Sequence, residues 1–277
     1  MHDINPGKPS NDIAQFLPWL VEMGADEVIL DQPVNRMVAQ VAVPAVVREA
    51  KPPLQDFQPK PAVRPSNWQA VAAGEEGVTA ATSMALAVTD LATYMSALDA
   101  FVAHPLQKTA NHLCALAGAT QSRVLLLSDR PRNEEDASGE VMSGKNQVLG
   151  EAMLASIGLS GIAPRDNTEQ VMLANFIPWR PPGNRMPTEH ECQMCLPFIQ
   201  RLIEIARPQL ILCFGPLAGQ YLGQGEEAIM RARGKWLDIA GVPLLTTFHP
   251  ETLLKSPASK RLAWHDLQAS RQKLDSL

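Results

Sequence analysis

Two side chains in this sequence stand where chemistry could be done. Asn175 closes the apolar run Ala174-Asn175-Phe176-Ile177-Pro178-Trp179, directly before a rigid loop, Arg180-Pro181-Pro182-Gly183-Asn184-Arg185-Met186-Pro187-Thr188. Downstream, Val242-Pro243-Leu244-Leu245-Thr246-Thr247-Phe248 ends in His249-Pro250. An amide offers one acceptor oxygen and two N–H donors, enough to read the edge of a small polar ring. An imidazole offers a fixed donor for an oxygen that gains negative charge. Two strands that each end in a hydrogen-bonding side chain and then turn sharply describe a pocket at the C-terminal edge of a parallel sheet, where open α/β sheets bind ligands. The plainer alternatives are an Asn that bonds its own turn and a His that closes a Pro turn.

The elements that must position these groups follow from the apolar pattern. Arg123 to Leu127, Gln170 to Phe176, Pro208 to Phe214 and Val242 to Thr247 read as four buried strands. Between them lie amphipathic stretches: a helix from Gly144 to Ile157, one from Glu189 to Ala206 opened by Thr188 and Glu191 at capping-box spacing, and one after Gly215-Pro216. A helix from about Val78 to Ala103 precedes the first strand, and one from about Ser259 to Leu274 closes the chain. Strands that alternate with helices predict a three-layer α/β/α fold around a mostly parallel, four-stranded sheet. Ahead of it, residues 1–40 are expected to form an N-terminal helical extension with a helix at 11–24, and residues 41–77 a Pro/Ala-rich linker, extended over 41–66. The α/β domain is expected to span 78–277.

Composition narrows the class. A net charge of −5 argues against a protein that coats nucleic acid nonspecifically, since phosphate neutralisation drives such binding. Basic residues nevertheless gather near the expected pocket: Arg180, Arg185, Lys255, Lys260 and Arg261. They are either a local basic face or solvated loop charges. No apolar run is long enough to span a bilayer, and the first residues lack the order of a secretory signal, so the expected compartment is the cytoplasm. Cys213 sits in a buried strand pattern, and the pair Cys192 and Cys195 has C-x-x-C spacing with no second pair to complete a zinc site.

Asn175 to Pro187, the Phe248-His249-Pro250 turn and the tail Leu253-Leu254-Lys255-Ser256-Pro257-Ala258-Ser259-Lys260-Arg261 together resemble the family 4 uracil-DNA glycosylases, the iron–sulfur branch of their superfamily. The resemblance runs from about Leu91 to Leu274. It implies an enzyme of base-excision repair that flips a uracil, or a related deaminated base, out of DNA and hydrolyses its N-glycosidic bond, and the expected form is a monomer. Asn175 would bind N3–H and O4 of the base, and His249 would face O2 and stabilise the departing anion. Asp129 would assist the attacking water. Pro131 and Met142 would line the base, and Leu253 or Leu254 would wedge into the stack, unless those leucines are core. Arg180, Arg185, Lys255, Lys260 and Arg261 would meet the DNA.

Three departures from the family pattern bear on function. Where the family reads Gly-Glu-Ala/Gly-Pro-Gly, this chain has Ser128-Asp129-Arg130-Pro131-Arg132, with two arginines at small, backbone-exposing positions. Where the family reads Gly-Arg-Pro-Phe-Val-Gly, it has Gly139-Glu140-Val141-Met142-Ser143-Gly144, so Met142 replaces a stacking ring. The four cluster-cysteine positions correspond to Phe101, His104, Trp179 and Cys195, which leaves one thiolate. The expected cofactor is therefore none, and the alternative function is a catalytically weakened, DNA-binding relative.

Overall fold

The computed structural model describes residues 76–166, 168–223 and 229–277. The expected helix at 11–24 and the extended segment 41–66 lie outside them.

The core is a six-stranded sheet: β1 (Leu116–Gly118), β2 (Val124–Ser128), β5 (Met172–Asn175), β6 (Leu210–Phe214), β7 (Trp236–Ile239) and β8 (Val242–Thr247), in the order β1-β5-β2-β6-β8-β7. A short parallel pair, β3 (Leu159–Ser160) and β4 (Glu169–Gln170), lies apart from it. The four central strands are mutually parallel and are the four expected from their continuous apolar runs. Two antiparallel edges extend the expected four strands to six. β1 is only three residues long, and β7 is half exposed, so neither carries a buried-strand signature. The β7–β8 hairpin turns on Ala240 and Gly241, both at positive φ (58° and 87°), with the Asp238 carboxylate accepting the Gly241 N–H at 2.8 Å. Two positive-φ residues give the twist a tight hairpin needs, here without the usual Asn-Gly.

Helices cover both faces. On one lie α1 (Glu76–Ala87), α2 (Leu91–Asp99), α5 (Glu189–Ala206) and α6 (Leu217–Gly223), packed over Leu125, Leu127, Ala174, Ile211 and Cys213. On the other, α4 (Gly144–Ala155), α8 (Pro250–Lys255) and α9 (Lys260–Asp275) cover Leu126, Leu173, Leu212 and Phe214. Short helices α3 (Asn133–Ser138) and α7 (Ile229–Ala232) complete the set. The single helix expected over 78–103 is instead α1 and α2, and α1 begins two residues inside the expected linker. The break comes at Asp90, whose carboxylate accepts the Thr93 N–H at 2.8 Å while Thr93 Oγ1 accepts the Asp90 N–H at 3.0 Å. That reciprocal cap starts a new helix within an unbroken apolar pattern.

Register matters most for function. Ser128 pairs with Asn175 on one side and Phe214 on the other, and Phe214 pairs with Thr247. The last residues of β5, β2, β6 and β8 thus form one row at the C-terminal edge. Side chains in one row of a parallel sheet point the same way, here toward the α4/α9 face, where Phe214 packs.

Candidate active site

Asn175 is buried, with 1% of its surface exposed. Its Nδ2 donates to the Cys114 carbonyl at 2.8 Å and to the Val141 carbonyl at 3.2 Å. The two carbonyls fix the amide's orientation, because a flip would set Oδ1 against two acceptors. Oδ1 is buried and has no hydrogen-bond partner. The expected pairing, with acceptor and donor both offered to a base, is therefore only half available: the donors are spent on the backbone, and one acceptor faces the site. Such an oxygen suits a ring N–H and repels a ring-nitrogen lone pair.

His249 caps α8. Its Nδ1 accepts the Glu251 N–H at 3.1 Å, and its Nε2 lies 3.2 Å from Ser128 Oγ. Burial, reinforced by the Arg132 charge, holds its pKa well below the ordinary imidazole value, so the ring is neutral. With Nδ1 accepting, the single proton sits on Nε2 and points at Ser128. Asn175, beside Ser128 in the strand register, and His249, whose Nε2 faces Ser128 Oγ, come from strands three places apart with β2 and β6 between them and thus converge on Ser128. Sequence reading missed Ser128 as a site residue; the signal was its place at the end of a strand whose last row had to align with Asn175.

Asp129 comes next in the chain and turns to the opposite face. Its Oδ1 accepts the Leu217 N–H at 3.0 Å at the start of α6. Burial pushes its pKa up to about 6, against the pull of that N–H and of Arg132 and Arg130. A Cβ on Gly215 (φ +105°) would lie 2.1 Å from Asp129 Oδ2, so glycine is required there on both counts. One oxygen of the carboxylate expected to assist water thus holds the start of α6.

Both departures in this motif turn to the rim. Arg130 is 8% exposed and donates to the Arg185 carbonyl at 3.1 Å and the Asn184 carbonyl at 2.9 Å, which pins the Pro/Gly loop. Arg132 donates to Glu251 at 2.9 Å and forms an ion pair with it at 2.8 Å, which ties the motif to the His249 turn. Against the cost of burial, Lys255 and Arg132 hold the Glu251 carboxyl down at about 2. The acidic cluster is structural: Glu135 accepts the N–H groups of Arg132 and Ser143, and Asp136 those of Asn111 and His112. These contacts hold the two loops whose carbonyls orient Asn175.

The arrangement has a counterpart among known proteins. The Uracil DNA glycosylase superfamily matches residues 116–268, from β1 into α9. The chain belongs to that family. It is 30% identical over 160 residues, 55% of this chain and 77% of the relative, to the type-4 uracil-DNA glycosylase of Archaeoglobus fulgidus. Identity to the type-4 enzyme of Thermotoga maritima is 28% over 171 residues, 60% and 85% of the two chains. For that of Saccharolobus solfataricus it is 29% over 168 residues, 57% and 74%.

The other residues expected from the uracil-DNA glycosylase pattern divide between the core and the surface. Pro131 is buried. Met142 is buried in the core against α4, its sulfur 2.6 Å from where a Cβ on Gly150 would lie. Leu253 is core, 1% exposed, while Leu254 is 43% exposed, which separates the two wedge candidates. Arg180 pairs with Asp136 at 3.5 Å, Arg185 with Glu191 at 2.6 Å and Lys255 with Glu251 at 2.6 Å. Lys260 and Arg261 are exposed at the start of α9.

The four positions of the family's cluster cysteines do come together, but as a packed plug. His104 stacks on Trp179 with centroids 4.7 Å apart, Phe101 lies 6.1 Å from His104, and Cys195 Sγ is 3.5 Å from His104 Nε2. His104 is already engaged: Nδ1 accepts the Leu106 N–H at 3.3 Å, and Nε2 faces the Glu191 carbonyl at 3.2 Å. Burial keeps the Cys195 thiol protonated. Among the described residues, no three His, Cys, Asp or Glu side chains are grouped to hold a metal ion. One protonated thiol and one committed imidazole, wedged between aromatic rings, do not fit an iron–sulfur cluster.

Proposed function

We propose that the protein removes uracil, or a related deaminated base, from DNA by hydrolysing the N-glycosidic bond. The convergence of Asn175 and His249 on Ser128 carries this reading. The acceptor Oδ1 of Asn175 meets the base N3–H, and the neutral His249 donates from Nε2 to the carbonyl that gains charge as the bond breaks. Ser128 keeps that N–H in line before the base arrives. Asp129 acts as a positioning residue that anchors α6 behind the site, rather than at the water. Incubation with oligonucleotides bearing one uracil, followed by alkali, tests the reading: cleavage is expected, and His249→Ala should slow it strongly.

A second reading, a weakened DNA-binding relative, is favoured by one observation: Arg130 and Arg132 occupy the small-residue positions and lock the rim. Salt-sensitive DNA binding without product from uracil, hypoxanthine or xanthine would select it.

The proposed working form is a cytoplasmic monomer without a cluster. Among the described residues, no helix is long and apolar enough to cross a membrane. Purified protein is expected to be colourless; stoichiometric iron and acid-labile sulfide would contradict a cluster-free enzyme.

The two leucines separate by role. Leu253→Ala is expected to cost about 2–5 kcal/mol of stability, as for a buried leucine. Leu254→Ala should leave stability intact and slow release from duplex about tenfold more than from single strands, because base flipping costs a few kcal/mol only in the duplex. Equal slowing on both substrates would remove Leu254 from the wedge role.

A further inference from the structure

Ser143 stands at the N-cap of α4, yet its side chain makes no capping bond. Its N–H is engaged by Glu135 at 3.3 Å. Its Oγ is buried and without a partner, and the residue is 7% exposed. A serine at this position normally caps its helix, and a buried hydroxyl normally finds a partner. Asn175 Oδ1 is likewise buried and without a partner. The two are linked by one short segment, since Asn175 donates to the Val141 carbonyl two residues before Ser143. A buried hydroxyl and a buried amide oxygen, both left unsatisfied on segments joined by that bond, are groups a ligand can pair.

We infer that Ser143 is a specificity-determining residue of this site, donating its hydroxyl to the second carbonyl of a base whose N–H meets Asn175 Oδ1. The inference rests on the glycosylase reading and deepens it. Asn175 cannot serve that carbonyl, because both of its protons are held by Cys114 and Val141. The site then reads three groups in sequence: a carbonyl at His249, an N–H at Asn175 and a carbonyl at Ser143. That order is an imide edge, found in uracil and in xanthine. Hypoxanthine, a lactam with one carbonyl, keeps the carbonyl that stands at the position of O4 and lacks the one that would face His249. A hydroxyl both donates and accepts, so rejection of cytosine falls to Asn175, and Ser143 governs what stands at the position of O4.

The test is a double-substitution cycle with uracil and 4-thiouracil in otherwise identical oligonucleotides, with wild type and Ser143→Ala. Sulfur is a poor acceptor, so wild type should prefer uracil, and Ser143→Ala should shrink that preference about tenfold, the usual scale of one lost hydrogen bond to a substrate. The thermal midpoint reports a purely structural role: a hydroxyl that matters only to the fold would change it on removal and leave the preference unchanged. Uracil release by wild type with an unchanged preference in Ser143→Ala overturns the inference alone. No uracil release by wild type overturns the glycosylase reading and this inference with it.

Discussion

Replacing His249 by alanine is expected to slow uracil release by about 10²–10³-fold, the usual cost of deleting one donor aimed at a developing oxyanion. The imidazole is 5% exposed and neutral, so its Nε2–H acts in a site where little solvent competes with it. Because the ring stays uncharged at neutral pH, the rate should show no inflection near the ordinary imidazole pKa. Stability behaves differently. The folded value is depressed, so below the unfolded value the unfolded chain takes up a proton that the folded chain refuses. The stabilisation is complete above the unfolded value, about 6.5, and is lost as pH falls below it. His249 also caps α8, so alanine should cost about 1 kcal/mol of stability, too little to account for the rate loss. Single-turnover release by wild type and His249→Ala across pH 5–9, beside their thermal midpoints, checks these statements. A rate loss under tenfold would remove His249 from the chemistry.

Asn175→Asp carries the second large effect, and here it falls on the fold. An aspartate is often the natural way to make a pocket accept a donor-bearing base, but in this site the amide protons hold the Cys114 and Val141 carbonyls. An ionised carboxylate would repel both, and a protonated one could satisfy only one. Each buried group left unpaired costs about 1–3 kcal/mol, so the pair costs roughly 2–6 kcal/mol, against a total stability of about 5–15 kcal/mol. A marked fall in the urea midpoint is expected, with no gain of cytosine release. A variant of native stability that releases cytosine would show that the amide points the other way.

Much of this was legible in the sequence, for identifiable reasons. The central strands are buried on both faces, so they read as unbroken apolar runs, and the Thr188/Glu191 cap announces α5. The edge strands were not legible: β1 is too short, and β7 turns on Ala-Gly. Asn175 and His249 were visible as polar strand ends. What they touch was not, because Ser128 gains meaning only from the register of β2 against β5, and the loss of the Asn175 donors depends on loops held by Glu135 and Asp136. Arg130 and Arg132 were visible as departures. Their destinations, the carbonyls of Asn184 and Arg185 and the carboxylate of Glu251, belong to segments far along the chain.

The row at the sheet edge has a consequence for synthesis. Asn175 and Ser128 leave the ribosome well before β8, which is the strand that delivers the imidazole. A nascent chain can therefore assemble the neighbouring strands and the amide's carbonyl cradle while still lacking its charge-stabilising donor. On the proposed roles, base release waits until β8 has been made, and polypeptides that stop short of it carry the amide without the imidazole.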